Sequence, residues 1–129
     1  MKKRKGLVLM LLISLSLFGL NACDNNASYQ QITAEEAKKI MDTKTDYVII
    51  DARTEEEFAE GHIKNAILIP EYEIAKRAEK ELPNKEQLIL VYCRSGRRSK
   101  IASEELVKLG YTNVKEFGGI IDWPYKTVK

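Results

Sequence analysis

Short apolar runs that alternate with amphipathic segments constrain the fold of this 129-residue chain more than any other feature. The apolar runs resemble buried strands and occupy residues 47–50, 66–69, 88–92 and 113–117. Helical spacing occupies residues 34–41, 71–81 and 99–109, and capping boxes at Thr33 and Thr54 mark the starts of the first helix and of a short second one. This alternation predicts an α/β fold, a single domain whose central parallel sheet is flanked by helices on both faces.

A lone cysteine follows the most apolar of these runs. Cys93 opens a loop that is rich in cations and glycine and that leads into the last helix: Arg94, Ser95, Gly96, Arg97, Arg98 and Ser99. Guanidinium charge, convergent backbone N–H groups and a helix N-terminus all favour a thiolate. In parallel α/β sheets, ligands bind beyond the carboxyl ends of the strands, where Cys93 is expected to lie. The pattern therefore predicts a nucleophilic cysteine that acts on an anionic substrate.

Three ordered segments resemble the single-domain form of the rhodanese homology domain. The first runs from Asp51-Ala52-Arg53 through Glu57-Phe58 and Gly61-His62-Ile63 to residues 66–70. The second is the loop of residues 93–99, and the third is Gly118-Gly119 with Trp123 four residues later. Together they cover about residues 32–125, so the resemblance implies one rhodanese-like domain at 32–129. Asn65 departs from the pattern, because the family usually has glycine there, and we expect it to alter a turn only.

The resemblance implies sulfur transfer without a cofactor. Family members take the outer sulfur of thiosulfate onto the cysteine, here Cys93, as a persulfide and pass it to a thiol or to cyanide. The backbone N–H groups of residues 94–99 would hold the persulfide, and Arg94 and Arg97 would bind the sulfonate end of the substrate. Arg98 is expected to join the loop to the scaffold.

Other residues of the resemblance are expected to act structurally. Asp51 and Arg53 would brace the neighbouring loops, with Arg53 and Glu57 paired at the start of a helix. His62 is the only histidine of the chain, and rhodaneses use loop amides where other enzymes use a histidine base. Trp123 is expected to pack in the core or against a loop.

The N-terminus has the pattern of a bacterial lipoprotein leader. Residues 2–5 are basic and residues 6–20 are apolar, which is too short for a comfortable transmembrane helix but suits a signal peptide. The sequence Leu20-Asn21-Ala22-Cys23 resembles a lipobox, which predicts a signal peptide at 1–22, lipidation of Cys23 and a flexible tether at 23–31. A cleaved secretory signal or an uncleaved anchor is the alternative. Each version predicts a domain outside the cytoplasmic membrane, and the lipid version anchors it there.

Loss of this leader changes the charge balance. The leader carries four of the 21 basic residues and none of the 19 acidic ones, so the mature part has a net charge of −2. Binding of nucleic acid by a globally basic surface is therefore unsupported. Lipidation of Cys23 would leave Cys93 without a disulfide partner, and one histidine with one free cysteine cannot form a tetrahedral metal site. We expect a monomer without a metal.

Three alternatives remain open at this point. A phosphatase or arsenate reductase of the same fold needs an arginine six positions after its cysteine, where this chain has Ser99. A non-catalytic rhodanese module commonly lacks the cysteine, which is present here. A persulfide carrier or redox partner of another envelope protein would share the first half-reaction with a sulfurtransferase.

Overall fold

The computed structural model of the protein describes residues 28–129. The predicted signal peptide at 1–22, the lipidation site Cys23 and residues 24–27 of the predicted tether lie outside this range. The end of that tether lies inside it, where Gln30–Gln31 forms a strand, β1, that pairs with residues 115 and 116. The tether prediction is therefore wrong at this end, and the ordered domain begins before residue 32. Both residues of β1 are exposed, because β1 is an edge strand, so polarity alone did not distinguish it from a linker.

The described residues alternate between strands and helices as predicted. After β1 come α1 (Ala34–Thr43), β2 (Tyr47–Asp51), α2 (Glu55–Glu60), β3 (Ile67–Leu68), α3 (Ile74–Glu81), β4 (Leu88–Cys93), α4 (Arg97–Lys108) and β5 (Val114–Gly119). Single turns of 3-10 helix precede α3 at Glu71–Glu73 and follow β5 at Ile120–Asp122. Both predicted capping boxes are present, since Thr33 and Thr54 each bond reciprocally with a glutamate three residues later.

The five strands of residues 28–129 form one sheet in the order β1-β5-β4-β2-β3, and every pair is parallel. The α/β prediction with a central parallel sheet is confirmed. Strand β4 lies at the centre, and its neighbours β2 and β5 bring Asp51 and Gly119 to the same edge as Cys93. Among residues 28–129, no helix is long and apolar enough to cross a membrane.

Side chains of β4 alternate between two cores. Ile89, Val91 and Cys93 pack with α3 and α4, whereas Leu90 and Tyr92 pack on the opposite face with α1 and with Phe117 of β5. This alternation follows from the two-residue period of a strand. It directs the side chain of Cys93 towards the face of the sheet that α4 covers.

Two local differences from the sequence prediction concern the backbone. Helix α4 begins at Arg97, two residues before the predicted start, because Gly96 takes a φ of 114° and turns the chain directly into the helix. Asn65 adopts a φ of 71°, in the left-handed region that asparagine tolerates better than most residues. At this turn Asn65 therefore adopts a backbone conformation that is more usual for glycine.

Candidate active site

The side chain of Cys93 lies at the end of β4 and faces the N-terminus of α4. It is fully buried, and the N–H of Gly96 donates a hydrogen bond to Sγ at 3.0 Å. Gly96 occupies the N-cap position of α4, a helix of 12 residues. The sulfur therefore lies where unpaired N–H groups and the positive end of the helix dipole favour a negative charge.

The end of β5 holds the loop in place. Cys93 is in register with Gly119, and a Cβ atom at Gly119 would lie 1.9 Å from the carbonyl oxygen of Arg94. That same carbonyl oxygen accepts a hydrogen bond from the N–H of Ile121 at 3.2 Å. The backbones of the loop and of β5 approach so closely that only glycine fits at residue 119.

The arginines of the loop divide into two kinds. Arg94 and Arg97 are exposed and form no ion pair with any residue of the described range. Arg98 makes a bidentate pair with Glu57 of α2, with N–O distances of 2.7 and 2.9 Å. Arg94 and Arg97 thus remain available to an anion, and Arg98 connects the loop to the scaffold as expected.

The pairing expected between Arg53 and Glu57 is wrong. Arg53 instead contacts both oxygens of Asp51, with Nη2 2.7 Å from Oδ2, and it also donates to the carbonyl oxygen of Gly61 at 2.7 Å. The hydrogen bond from Arg98 lowers the pKa of Glu57 to about 2, assisted by hydrogen bonds from Thr54 and opposed by partial burial. Arg98 is the partner because it reaches Glu57 from another helix, a contact that spacing along the chain does not reveal.

Asp51 and Arg53 belong to a buried network below the loop. The hydroxyl of Tyr92 donates to Asp51 at 2.6 Å and accepts from the N–H of Ile63 at 3.0 Å. Burial and the neighbouring Asp51 charge raise the pKa of Tyr92, so its hydroxyl stays protonated as a donor. These contacts tie β2, β4 and the segment after α2 together, which is the bracing role expected for Asp51 and Arg53.

Glu116 is the site residue that the sequence analysis missed. The residue is 2% exposed, and its carboxylate accepts hydrogen bonds from the hydroxyl of Ser99 at 2.5 Å and from the N–H of Gly118 at 2.9 Å. The Ser99 oxygen lies 3.4 Å from the sulfur of Cys93. The sequence did contain a signal that Glu116 faces inward. It lies two residues after the inward-facing Val114, and residues two apart in a strand share a face.

His62 and Trp123 contact aromatic residues. Nδ1 of His62 is 3.0 Å from the carbonyl oxygen of Phe58, and the two rings stack with centroids 3.7 Å apart. Trp123 packs on Phe117 at 5.4 Å between ring centroids. Both residues therefore make structural contacts. Ser95, in the loop itself, is exposed.

The model of the rhodanese-like domain matches residues 33–124. The chain belongs to the rhodanese family. A thiosulfate sulfurtransferase of Escherichia coli, PspE, is 39% identical over 80 residues, which cover 62% of this chain and 77% of that protein. A solved structure described as rhodanese with anions from E. coli is 37% identical with a TM-score of 0.61, covering 64% of this chain and 98% of that one. Rhodanese homologues of this kind support sulfurtransferase activity in general.

A further rhodanese relative carries a different description. A putative sulfur carrier protein of Bacillus subtilis, YrkF, is 34% identical over 110 residues, which cover 84% of this chain and 58% of that protein. The chain thus spans little more than half of this relative.

Within residues 28–129, no three His, Cys, Asp or Glu side chains lie close enough together to bind a metal ion.

Proposed function

We propose that the protein transfers a sulfane sulfur from thiosulfate, or from a persulfide donor, to a thiophilic acceptor through a persulfide on Cys93. The observation that carries the proposal is the environment of the sulfur. Sγ accepts the Gly96 N–H at the start of α4, near Arg94 and Arg97, which are exposed and form no ion pair within residues 28–129. The similarity to a protein named thiosulfate sulfurtransferase supports this choice of substrate.

The first half-reaction forms one bond and breaks one. The Cys93 thiolate attacks the outer sulfur of thiosulfate, a new S–S bond forms, and the bond to the sulfonate sulfur breaks. Sulfite leaves with the electron pair of that bond, so the persulfide keeps the single negative charge that the thiolate carried. Arg94 and Arg97 orient the sulfonate oxygens. An acceptor thiolate or cyanide then attacks the outer sulfur and regenerates the Cys93 thiolate.

The contacts of Arg98 and Ser99 disfavour the phosphatase alternative. A phosphatase loop needs an arginine that closes around a tetrahedral anion at the position of Ser99. The Ser99 hydroxyl is bonded to Glu116, and the adjacent Arg98 is paired with Glu57.

Mass spectrometry of the intact protein after thiosulfate treatment tests the proposal. We expect a gain equal to one sulfur atom that is absent in Cys93→Ala, together with thiocyanate formation when cyanide is added. Hydrolysis of p-nitrophenyl phosphate is measured on the same samples. Absence of both the adduct and thiocyanate would contradict sulfur transfer, and phosphate release would favour the alternative.

A sulfur carrier is the second candidate function, and the similarity to YrkF favours it. A carrier would acquire the same persulfide but would release it slowly to small acceptors. Rates of persulfide decay with cyanide, with a small thiol and with a reduced protein thiol distinguish the two. Fast turnover with a small acceptor supports the enzyme.

We propose that Cys23 carries a lipid that anchors the domain outside the cytoplasmic membrane. The leader pattern at residues 1–22 supports this location. Labelling of cells with a radioactive fatty acid, followed by fractionation, tests it. We expect label on the membrane-bound protein and none on Cys23→Ser; an unlabelled soluble protein would contradict the anchor.

A further inference from the structure

A recess on the far side of the sheet from Cys93 has the size of a small-molecule site. It lies between α1, β2 and the C-terminal segment, and its volume is about 600 Å³. Small-molecule sites in proteins usually enclose about 300–1,000 Å³ and are lined mainly by apolar side chains. Two of its lining residues, Ile49 and Ile63, are buried in the core on the opposite face from the sulfur. The recess is therefore separate from the candidate active site.

Aromatic rings form the walls of the recess. Trp123 and Tyr125 meet edge to face with their centroids 4.9 Å apart, and Tyr47 lines the recess from β2. The Tyr47 hydroxyl donates to the carbonyl oxygen of Met41 at 3.1 Å, which fixes the orientation of its ring. Aromatic side chains offer flat apolar surfaces that pack well against another ring. These walls favour a ligand with an aromatic body.

The C-terminal wall of the recess is fixed to the rest of the domain. His62 and Val128 exchange two backbone hydrogen bonds of 2.8 Å each, which hold the segment that carries Trp123 and Tyr125. The amino group of Lys38 lies over the Tyr125 ring, 5.3 Å from its centroid. A wall that is held in place before a ligand arrives reduces the ordering cost of binding.

The charged residues that line the recess give it a positive rim. They are Lys38, Asp42, Lys64 and Lys126. Asp42 pairs with Lys38 at 2.8 Å. Lys64 and Lys126 are exposed and form no ion pair within residues 28–129, so two positive charges are uncompensated. An anion is the complementary ligand for such a rim, although the chain after residue 22 is acidic overall.

We propose that this recess binds a small organic anion with an aromatic body and one carboxylate group. The aromatic body packs against the ring walls, and the carboxylate lies at the rim beside Lys64 and Lys126. Lysine ammonium groups are point charges on flexible stems, so they suit a carboxylate without requiring one fixed geometry. Binding at this recess goes beyond the proposed sulfur transfer and does not depend on it, because the recess and Cys93 lie on opposite faces of the sheet.

Two matched compounds test the proposal by NMR titration of the full chain. Trp123 is the only tryptophan of the sequence, so its indole N–H gives one identifiable signal. We expect naphthalene-1-acetate to shift this signal saturably. Naphthalene-1-acetamide has the same ring and nearly the same size but no charge, so it should bind roughly fivefold more weakly. Thiosulfate should leave the signal unchanged, because the candidate active site lies on the other face of the sheet.

Lysine variants test whether the rim supplies the charge that the ligand meets. The double variant Lys64→Gln and Lys126→Gln should weaken binding of the acetate roughly fivefold and leave binding of the amide unchanged. The matched control is the double variant Lys76→Gln and Lys80→Gln, which removes two exposed lysines without an ion pair in the described range. Both lie on α3, which packs on the same face of the sheet as Cys93, so the affinities should stay close to those of the wild type.

Tyr125→Ala tests the aromatic wall independently of charge. The variant removes one ring near the C-terminus and should weaken binding of the acetate and of the amide alike, by roughly fivefold. Unchanged affinity for both compounds in this variant would contradict the role of the ring walls.

Three further results would overturn the proposal. They are the absence of a saturable shift of the Trp123 signal, equal affinity of the wild type for the two compounds, and an equal loss of acetate binding in the two double variants. Shifts confined to residues 94–99 would overturn it as well, since they would place the anion at the cysteine loop. Each of these results leaves sulfur transfer untouched, because mass spectrometry of Cys93 tests that function separately.

Discussion

At the scale of single residues, the two adjacent glycines of the third motif have different tasks. Gly118 has a φ of 91° and open space where a side chain would lie. Gly119 has an extended backbone, with φ of −125°, but its hydrogen atoms face the loop backbone at Arg94 and Ser95. One glycine is needed for its conformation and the other for close approach.

Alanine at each glycine separates these tasks. Gly118→Ala should lower the free energy of unfolding by about 1–2 kcal/mol through backbone strain. Gly119→Ala should displace the loop and reduce the rate of sulfur transfer at least tenfold, since a Cβ atom 1.9 Å from a carbonyl oxygen forces a backbone shift. Denaturant unfolding and persulfide formation measure the two effects. Equal activity of the two variants would contradict this division.

At the scale of secondary-structure elements, the pair of Arg98 and Glu57 joins α4 to α2. Glu57 also completes the capping box of α2 by accepting from Thr54 at 3.1 Å. One carboxylate therefore fixes both the start of α2 and the first turn of α4, and α4 carries the N-terminus that faces Cys93.

The lowered pKa of Glu57 predicts how stability depends on pH. The folded value is about 2 and the ordinary value is 4.5, so the stabilisation is present above about pH 4.5 and is lost as pH falls towards 2. Glu57→Gln should lower the free energy of unfolding at neutral pH by roughly 1–3 kcal/mol, with the difference from wild type vanishing near pH 2. Thermal unfolding at several pH values measures it.

Glu81→Gln serves as the matched control for this pair. Glu81 pairs with Arg77 on the surface of α3, with both side chains 35% exposed against 23% for Glu57. Solvent screens such a pair, so the variant should lose no more than about 0.5 kcal/mol. A pH-independent loss in Glu57→Gln would show that the carboxylate charge is not the cause.

At the scale of the whole molecule, one tyrosine connects elements that are distant in sequence. Tyr92 of β4 bonds to Asp51 of β2 and to the backbone of Ile63, and Asp51 in turn holds Arg53. The network lies on the opposite face of the sheet from the sulfur of Cys93. It stabilises the edge of the sheet from which the loop extends.

Tyr92→Phe tests this connection. The variant leaves the Ile63 N–H without its partner and should lower the free energy of unfolding by about 1–3 kcal/mol. Tyr47→Phe removes a half-buried hydroxyl that donates to the Met41 carbonyl at 3.1 Å, and it should lose less than about 1 kcal/mol. Denaturant midpoints compare the two variants. A larger loss in Tyr47→Phe would contradict the role of the network.

Local chemistry determined much of this protein from its sequence. The order of the elements, both capping boxes and the position of Cys93 at the carboxyl end of the central strand follow from short-range patterns of apolar residues and caps. The expected connection of Arg98 to the scaffold was also stated with the resemblance to rhodaneses, whereas anion binding by Arg94 and Arg97 stays a prediction. Each of these features depends on neighbours in the chain or on an ordered motif.

Only the tertiary structure decided the partners of the charged groups. Glu57 bonds to Arg98, 41 residues away, and Arg53 bonds to its chain neighbour Asp51. Gln30–Gln31 forms a strand because it pairs with β5. Glu116 contacts Ser99 because β5 lies beside β4 and under α4. Spacing along a chain predicts which residues share a helix or strand. The choice among charged partners is made by strand order and helix packing, which bring distant segments within hydrogen-bond distance.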